Sequence, residues 1–585
     1  MTGRSNPLLA PILSLALALG APKAIAQDAD AGRATPEAAT GRTAQALTTA
    51  NEYMIVAANP LAAQAGAAAM AEGGSAADAA IVSLLVLNVV EPQSSGLGGG
   101  AFALVHGPDG LTSFDARETA PMRAGPDLFL EDGAPIGWRE GVASGRSVGV
   151  PGLGRLLEVL HARHGRLDWP RLVAPALALA RDGFPMSPRL AGMLQGMAPR
   201  LAGTDAAAVF LDAGAPRPPG TVLRQPDLAA TLEAIGREGP EVLYRAPIAT
   251  EIVAATQTPP RPGQLTVMDF ARYEVIERAP VCHDFRAIWR VCGMGPPSSG
   301  ATTVGQILGL VGGQPPAEDP VARAHLFAEA SRLAYADRAR YLGDPDQVAV
   351  PVAGLLDPEY LAARGALIDA GRASSGPAEP GTPPGVADQP GPDASASSPG
   401  TTHLSVIDAE GLAISLTASI ETAFGSARMA AGMLLNNQLT DFSFNPGPAE
   451  APAANAPGAG KRPRSSMAPT IAYRLDAPDR PAILIGSPGG SRIPEYVAGA
   501  LLLMLERGAD AAAAAAVAHV SHRNRDVLVL EQDAHDPALA GALSALGHET
   551  ALADMTSGLH IIAVAPDGSL SGGADPRREG LATGE

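Results

Sequence analysis

Cysteine is almost absent from this 585-residue chain, and the two that occur, Cys282 and Cys292, exclude a fold stapled by several disulfides. They flank the stretch HDFRAIWRV, where an oxidising compartment would let them bridge across a hairpin-like turn; the other reading is a pair of buried free thiols. Neither has the surroundings of a catalytic or metal-binding cysteine. Aromatic residues are scarce at 4%, while Ala, Gly and Pro abound, which points to close backbone packing and many turns rather than aromatic anchoring. Positive charge is also short: 42 Lys and Arg face 60 Asp and Glu, a formal net charge of −18. That balance disfavours nucleic acid and anionic membranes as partners, although a local arginine can still reverse the field inside a pocket. Beyond the N-terminus no window reaches 18 uninterrupted apolar residues, so the rest of the chain offers no membrane span.

What is present begins with an export signal. Arg4, the apolar run Leu8 to Leu19 and the Ala24-Ile25-Ala26 site before Gln27 form a positive n-region, a short h-region and an A-x-A cleavage site. Residues 1–26 are therefore read as a cleaved signal peptide, and the mature protein, at net charge −20 after loss of Arg4 and Lys23, as periplasmic or secreted. From Asn51 the pattern runs strand, helix and a second helix capped near Ser75, followed by a strand (AFALVHG) that turns at Pro108-Asp109-Gly110. Residues 150 to 370 read as mostly helical, with an amphipathic example at 328–343. Strands return after residue 400 as TTHLSVIDAEG, LAISLTASIE, MLLNNQ, TIAYRL and AILIGSPG, and a helix (EYVAGALLLMLERG) separates them from the late strands DVLVLEQ and HIIAVAPDG. Strands at both ends with helices between fit layered sheets in one body better than separate domains.

Several short motifs admit two readings each. Gly96-Leu97-Gly98-Gly99-Gly100-Ala101 matches a dinucleotide fingerprint in letters, but it opens a strand instead of a helix and reads as a close-packed turn. Arg117, at a strand end, is either a fork for a carboxylate or a partner of Glu118. Gly489 and Gly490, between the strand AILI and a helix, either aim backbone N–H groups at a developing oxyanion or make a plain turn. Ser465 and Ser466 follow a small basic patch and offer hydroxyls to a carboxylate. The polar run Asn436 to Phe442 is either a turn or an ammonium site built on Asp441. His519 and His522 lack a third ligand nearby, so a solvated helix end is preferred to a metal site.

The sharpest signal is Thr401-Thr402-His403-Leu404-Ser405-Val406, directly after the Pro/Gly/Ala/Ser-rich run 371–400, read as a flexible, protease-accessible tail. At Thr401 the pattern becomes two alternating strands joined by a turn at Ala409-Glu410-Gly411. A threonine hydroxyl needs a base beside it, and cutting the chain before the threonine makes its own α-amine that base.

In order and wording, EPQSSGLGGGAF, ARETAP, VGVPG, GPPSSG, TTHLSVID, LLNNQLTDFS, KRPRSSMAPTI, GSPGGSRI and GGADPRREG resemble the γ-glutamyltransferase family of N-terminal-nucleophile hydrolases, over nearly all the mature length. The resemblance implies an α/β (α+β) four-layer αββα sandwich shared by two subunits, residues 27–400 and 401–585, cut between Gly400 and Thr401. It implies Thr401 as nucleophile, with the Ser419 hydroxyl where the family places a threonine beside it. Arg117, Ser465 and Ser466 would hold the glutamyl α-carboxylate, Asp441, Gln438 and Glu421 its α-ammonium, and Gly489 and Gly490 the oxyanion. The implied reaction is hydrolysis or transfer of γ-glutamyl groups from glutathione-like compounds to water or an amine, without metal or organic cofactor. The stretch 445–460, where some members carry a lid, is short and lacks aromatics, which favours an open site and hydrolysis over transfer. Two rival expectations are a glutaryl (cephalosporin) acylase on the same scaffold and an uncleaved binding protein.

Overall fold

The computed structural model describes Met1 and residues 42–585, apart from 388, 394 and 396–399; the expected signal peptide lies outside the described residues. Fourteen strands build two seven-stranded sheets: β1 (Thr48–Ala50), β2 (Met54–Ala57), β3 (Gly100–Gly107), β4 (Gly110–Ala116), β5 (Ile276–Arg278), β6 (Val281–Phe285), β7 (Trp289–Gly293), β8 (Thr401–Ile407), β9 (Ala413–Ser419), β10 (Thr470–Arg474), β11 (Ala477–Gly486), β12 (His560–Val564), β13 (Leu570–Ala574) and β14 (Leu581–Gly584). The first sheet runs β1-β13-β12-β11-β10-β7-β6 and the second β5-β4-β3-β9-β8-β2-β14, with antiparallel neighbours throughout.

The alternation along β8 explains the layering. Leu404 and Val406 point into a core shared with helices α1 (Pro60–Ala71), α2 (Ala76–Val90), α3 (Leu153–His164) and α4 (Trp169–Asp182). Ile407, on the opposite face, packs between the sheets with Met54, Val56, Leu104, Ile471, Leu484 and Ile562. On its outer face the first sheet is covered by α5 (Gly300–Gly312), α6 (Pro320–Tyr341), α7 (Ile493–Arg507) and α8 (Ala511–Ala515). The result is the four-layer αββα sandwich. Because β8 and β2 come from opposite sides of residue 400 yet pair along Leu404↔Ala57 to Ile407↔Met54, the two halves share one core.

Local chemistry sets these elements. The Ser75 hydroxyl accepts from the Asp78 N–H while Asp78 reaches back to the Ser75 N–H, a capping box that starts α2 where the sequence predicts. Helix α6 starts earlier than its amphipathic stretch, since Asp319 caps it and Pro320 occupies the first turn. Three expectations need correction. The region read as mostly helical contains the hairpin β6–β7, in which Cys282 and Cys292 are cross-strand partners joined by a disulfide. MLLNNQ forms a strand only over Met433–Leu434, because the asparagines after it turn away to bond backbone. The tail before residue 401 has the irregular backbone its composition predicts, but its described part is held down. Gly381 N–H donates to Asp337, Arg364 to the Glu379 carbonyl and Arg340 to the Pro390 carbonyl.

Candidate active site

Thr401 begins β8 and lies opposite Ser419, the last residue of β9. Side chains two apart share a strand face, so Thr401, His403, Ser405 and Ile407 all point between the sheets. The Thr401 hydroxyl donates to Ser419 Oγ at 3.3 Å, and Ser419 in turn donates to the Gly400 carbonyl at 2.7 Å while accepting from the Glu421 N–H at 2.8 Å. Ser419 thus touches both the hydroxyl and the carbonyl of the bond expected to break. The chain reverses immediately afterwards: Glu421 sits at φ 79°, a left-handed conformation costly for a residue with a Cβ. Gly99 permits this corner, since a Cβ there would lie 2.1 Å from the Ser419 carbonyl oxygen.

Behind Thr401 the same face stays polar. His403 Nδ1 meets Thr417 Oγ1 at 2.8 Å, and the Ser405 hydroxyl donates to the His560 carbonyl at 3.0 Å. His403 and His560 stack with their ring centroids 6.3 Å apart. Burial drives the His403 pKa well below the ordinary histidine value, and burial likewise lowers His560 to about 4, so both rings are neutral.

The pocket wall comes from three places in sequence. Arg117 follows β4; its Nη2 donates to Asp441 at 2.5 Å and to the Arg464 carbonyl at 3.2 Å, and its Nε to the Pro463 carbonyl at 3.1 Å. Gln438 Nε2 donates to the same Asp441 oxygen at 3.2 Å. Arg117 Nη1, a donor, and Gln438 Oε1, an acceptor, are buried without a hydrogen-bond partner among the described residues, as are both carboxylate oxygens of Glu118. Burial raises the Asp441 carboxyl above its ordinary pKa, opposed by the Arg117 charge. The neighbouring Glu118 carboxyl, 3.7 Å from Arg117 Nη1 and fully buried, is pushed up to about 8 by burial, again against Arg117.

Ser466 accepts from Arg338 Nη2 at 2.7 Å, and Arg338 Nε also donates to Ser299 Oγ at 2.9 Å. Ser299 holds the Ser465 carbonyl through its N–H at 2.8 Å and its hydroxyl at 2.7 Å, while Ser465 Oγ accepts from the Met467 N–H. Glu421 stands one residue off the Arg117–Asp441–Gln438 cluster: its carboxylate accepts from Asn437 Nδ2 at 2.6 Å. Gly489 (φ 139°) and Gly490 (φ 59°) turn the chain from β11 into α7, in conformations that glycine adopts freely, and a Cβ on Gly489 would strike Tyr496. Arg578 ties this loop to Thr401. Its Nη1 donates to the Thr401 carbonyl at 3.4 Å and its Nε to the Ser557 carbonyl at 3.0 Å, and Gly558 packs on both Arg578 and Pro488.

Arg338, Arg464, Asn437, Asn455 and Arg578 were not singled out from sequence. Asn437, Arg464 and Arg578 do lie inside stretches already marked as motifs; Asn455, in an Ala/Pro/Gly run, gives no signal. His519 is engaged by the Ser557 hydroxyl at 2.7 Å, and among the described residues no group of three His, Cys, Asp or Glu is arranged to hold a metal ion. No helix among the described residues is long and apolar enough to cross a membrane.

Two antiparallel sheets packed between helical layers, with Thr401 opening a central strand, give the fold of the N-terminal-nucleophile hydrolases. Residues 62–585 match the family model described as Gamma-glutamyltranspeptidase, and the chain belongs to that family. It is 34% identical to the glutathione hydrolase proenzyme of Escherichia coli K12 across 90% of this chain and 91% of that one. It is equally 34% identical to the Acylase ACY 1 proenzyme of Pseudomonas sp. V22, covering 91% and 93%. The crystal structure of cephalosporin acylase from Bacillus halodurans superposes with a TM-score of 0.81 at 27% identity, covering 94% of this chain and 99% of that one.

Proposed function

We propose that this enzyme hydrolyses γ-glutamyl amides such as glutathione, after cutting itself between Gly400 and Thr401. The observation that carries the reading is the pair of unmet buried atoms beside Asp441. Arg117 Nη1 can donate to an α-carboxylate, while Gln438 Oε1 and the Asp441 carboxylate can accept from an α-ammonium. A glutamyl head group carries both charges on one carbon.

Self-cleavage starts with Thr401 Oγ attacking the Gly400 carbonyl carbon, with Ser419 donating to its oxygen as negative charge develops. Collapse breaks the C–N bond as the proton of the Thr401 hydroxyl passes to the departing nitrogen, leaving an ester on Oγ and a free α-amine on Thr401; water then hydrolyses the ester to a Gly400 carboxylate and a free hydroxyl. In the cut enzyme that amine takes the Thr401 hydroxyl proton as Oγ attacks the γ-carbonyl of substrate. The N–H groups of Gly489 and Gly490 stabilise the oxyanion, an effect of about 3–4 kcal/mol in comparable sites. The amine leaves with a proton, and water, or an acceptor amine, releases the glutamyl group from the ester. Residues 1–26 act as a signal peptide that sends the precursor to the periplasm or outside the cell, where the 27–400 and 401–585 chains remain paired.

The likeness to acylases supports a second reading, removal of glutaryl groups. Glutaryl lacks the α-amine and would leave Asp441 and Gln438 unmatched. Turnover of γ-glutamyl-4-nitroanilide against glutaryl-4-nitroanilide separates the two: faster γ-glutamyl turnover supports the proposal, and faster glutaryl turnover replaces it.

A further inference from the structure

The stretch GPPSSG, residues 295–300, is zipped to the segment that carries Ser465 and Ser466. Ser465 N–H donates to the Pro297 carbonyl at 2.9 Å, and the Ser298 hydroxyl donates to the Met467 carbonyl at 2.6 Å. Between them Ser299 grips the Ser465 carbonyl through both its N–H and its hydroxyl. The backbone of the two serines is thus fixed from one side, independently of their own hydroxyls.

Arg338 enters this junction from the last turn of α6. The residue is buried, and its guanidinium lies 5.6 Å over the Tyr335 ring; the Tyr335 hydroxyl donates to the Ser491 carbonyl at 2.5 Å, next to Gly489 and Gly490. Two hydroxyl oxygens meet the charge, Ser299 Oγ on Nε and Ser466 Oγ on Nη2, and among the described residues it forms no ion pair. A buried cation met only by hydroxyls favours an anion close by.

Hydrogen counting gives the contact its direction. A guanidinium has no acceptor, so Ser466 can only accept from Arg338 and must send its own hydrogen elsewhere. Ser299 spends its hydrogen on the Ser465 carbonyl, whereas among the described residues the Ser466 hydroxyl donates to no protein acceptor. Ser465 Oγ likewise accepts, from the Met467 N–H at 3.1 Å. Resting on the γ-glutamyl reading above, we infer that Arg338 is a positioning residue for the substrate α-carboxylate, holding Ser466 Oγ as an acceptor so that its O–H is left to donate to that carboxylate.

Steady-state kinetics on cleaved protein, selected by intact mass, test this. With γ-glutamyl-4-nitroanilide, Arg338→Met should raise KM about tenfold while kcat changes far less, and Arg338→Lys, which keeps a donor for one hydroxyl, should lie between. With 4-aminobutyryl-4-nitroanilide, which lacks the α-carboxylate, the same variant should change KM less than about twofold. Adding Arg338→Met to Ser466→Ala should likewise cost less than about twofold beyond Ser466→Ala alone, because the two residues act through one hydroxyl. An unchanged KM, equal losses on both anilides, or additive losses in the double variant overturns the inference. Where Arg338→Met yields too little cleaved protein, Ser299→Ala, which removes only the anchor on Nε, should show the same selectivity at about two- to threefold, and equal losses on both anilides again overturn it. Wild-type turnover of glutaryl but not γ-glutamyl anilide would defeat the γ-glutamyl reading alone: glutaryl carries the same carboxylate, and the contrast is then read between glutaryl and butyryl anilides.

Discussion

Ser419 bridges the Thr401 hydroxyl and the Gly400 carbonyl, the two groups that the proposed self-cleavage joins, accepting from the first and donating to the second. The bridge follows from strand register, since Thr401 pairs with Ser419 at the end of the β8–β9 ladder and Gly100 pairs with Ser419 on the other side. Removing the hydroxyl should therefore be felt first in processing. Ser419→Ala is expected to slow self-cleavage by about 10²-fold, the cost of losing one oxyanion-directed donor, whereas Ser419→Thr should process at near the wild-type rate. A time course of chain cutting by mass spectrometry checks both.

Arg117 and Asp441 should not tolerate conservative replacement. Lysine cannot reproduce the fork that meets Asp441, Pro463 and Arg464 at once, so Arg117→Lys is expected to lower kcat/KM for a γ-glutamyl anilide by about 10²-fold. Asp441→Asn removes the charge proposed to face the ammonium and should cost a similar factor for γ-glutamyl. With the glutaryl analogue, which has no ammonium, the Asp441→Asn loss should shrink, and a comparison of the two substrates on one variant measures this.

The neutral histidine pair between the sheets sets an acid limit. For a base whose pKa is lowered by folding, the native state binds fewer protons than the unfolded chain. The stability contributed by keeping His403 and His560 uncharged is therefore fully present above about 6.5 and is lost as pH falls toward the folded value, about 4 for His560. Melting temperature should decline steadily over that interval, and His560→Leu should flatten part of the slope. A wild-type profile flat from pH 7 to 4 would contradict the assignment.

The elements with clean local signals were legible in the sequence. The Ser75 cap, the β8–β9 hairpin and the glycine turn before α7 each depend on residues adjacent in the chain. The turn between Cys282 and Cys292 was legible as hairpin-like, but its strands β6 and β7 lie within a region read as mostly helical, and the short strands β5, β13 and β14 have too few residues to show a period. At the site, Arg117 and Asp441 stood out by motif, but their contact spans 324 positions and only the fold reveals it. Asn455 lies in an Ala/Pro/Gly run that singles out no residue, and its contacts with Arg464 and the Asp441 carbonyl arise from where the backbone places it, which no periodicity encodes.

The central claim, a self-released threonine nucleophile, is tested most directly by the intact mass and N-terminal sequence of the purified mature protein beside a Thr401→Ala control. Two chains, the smaller beginning at Thr401, with the control left whole, are the expected result. A wild-type protein that stays a single uncut chain while turning over substrate would contradict it, because the α-amine base would never have been released.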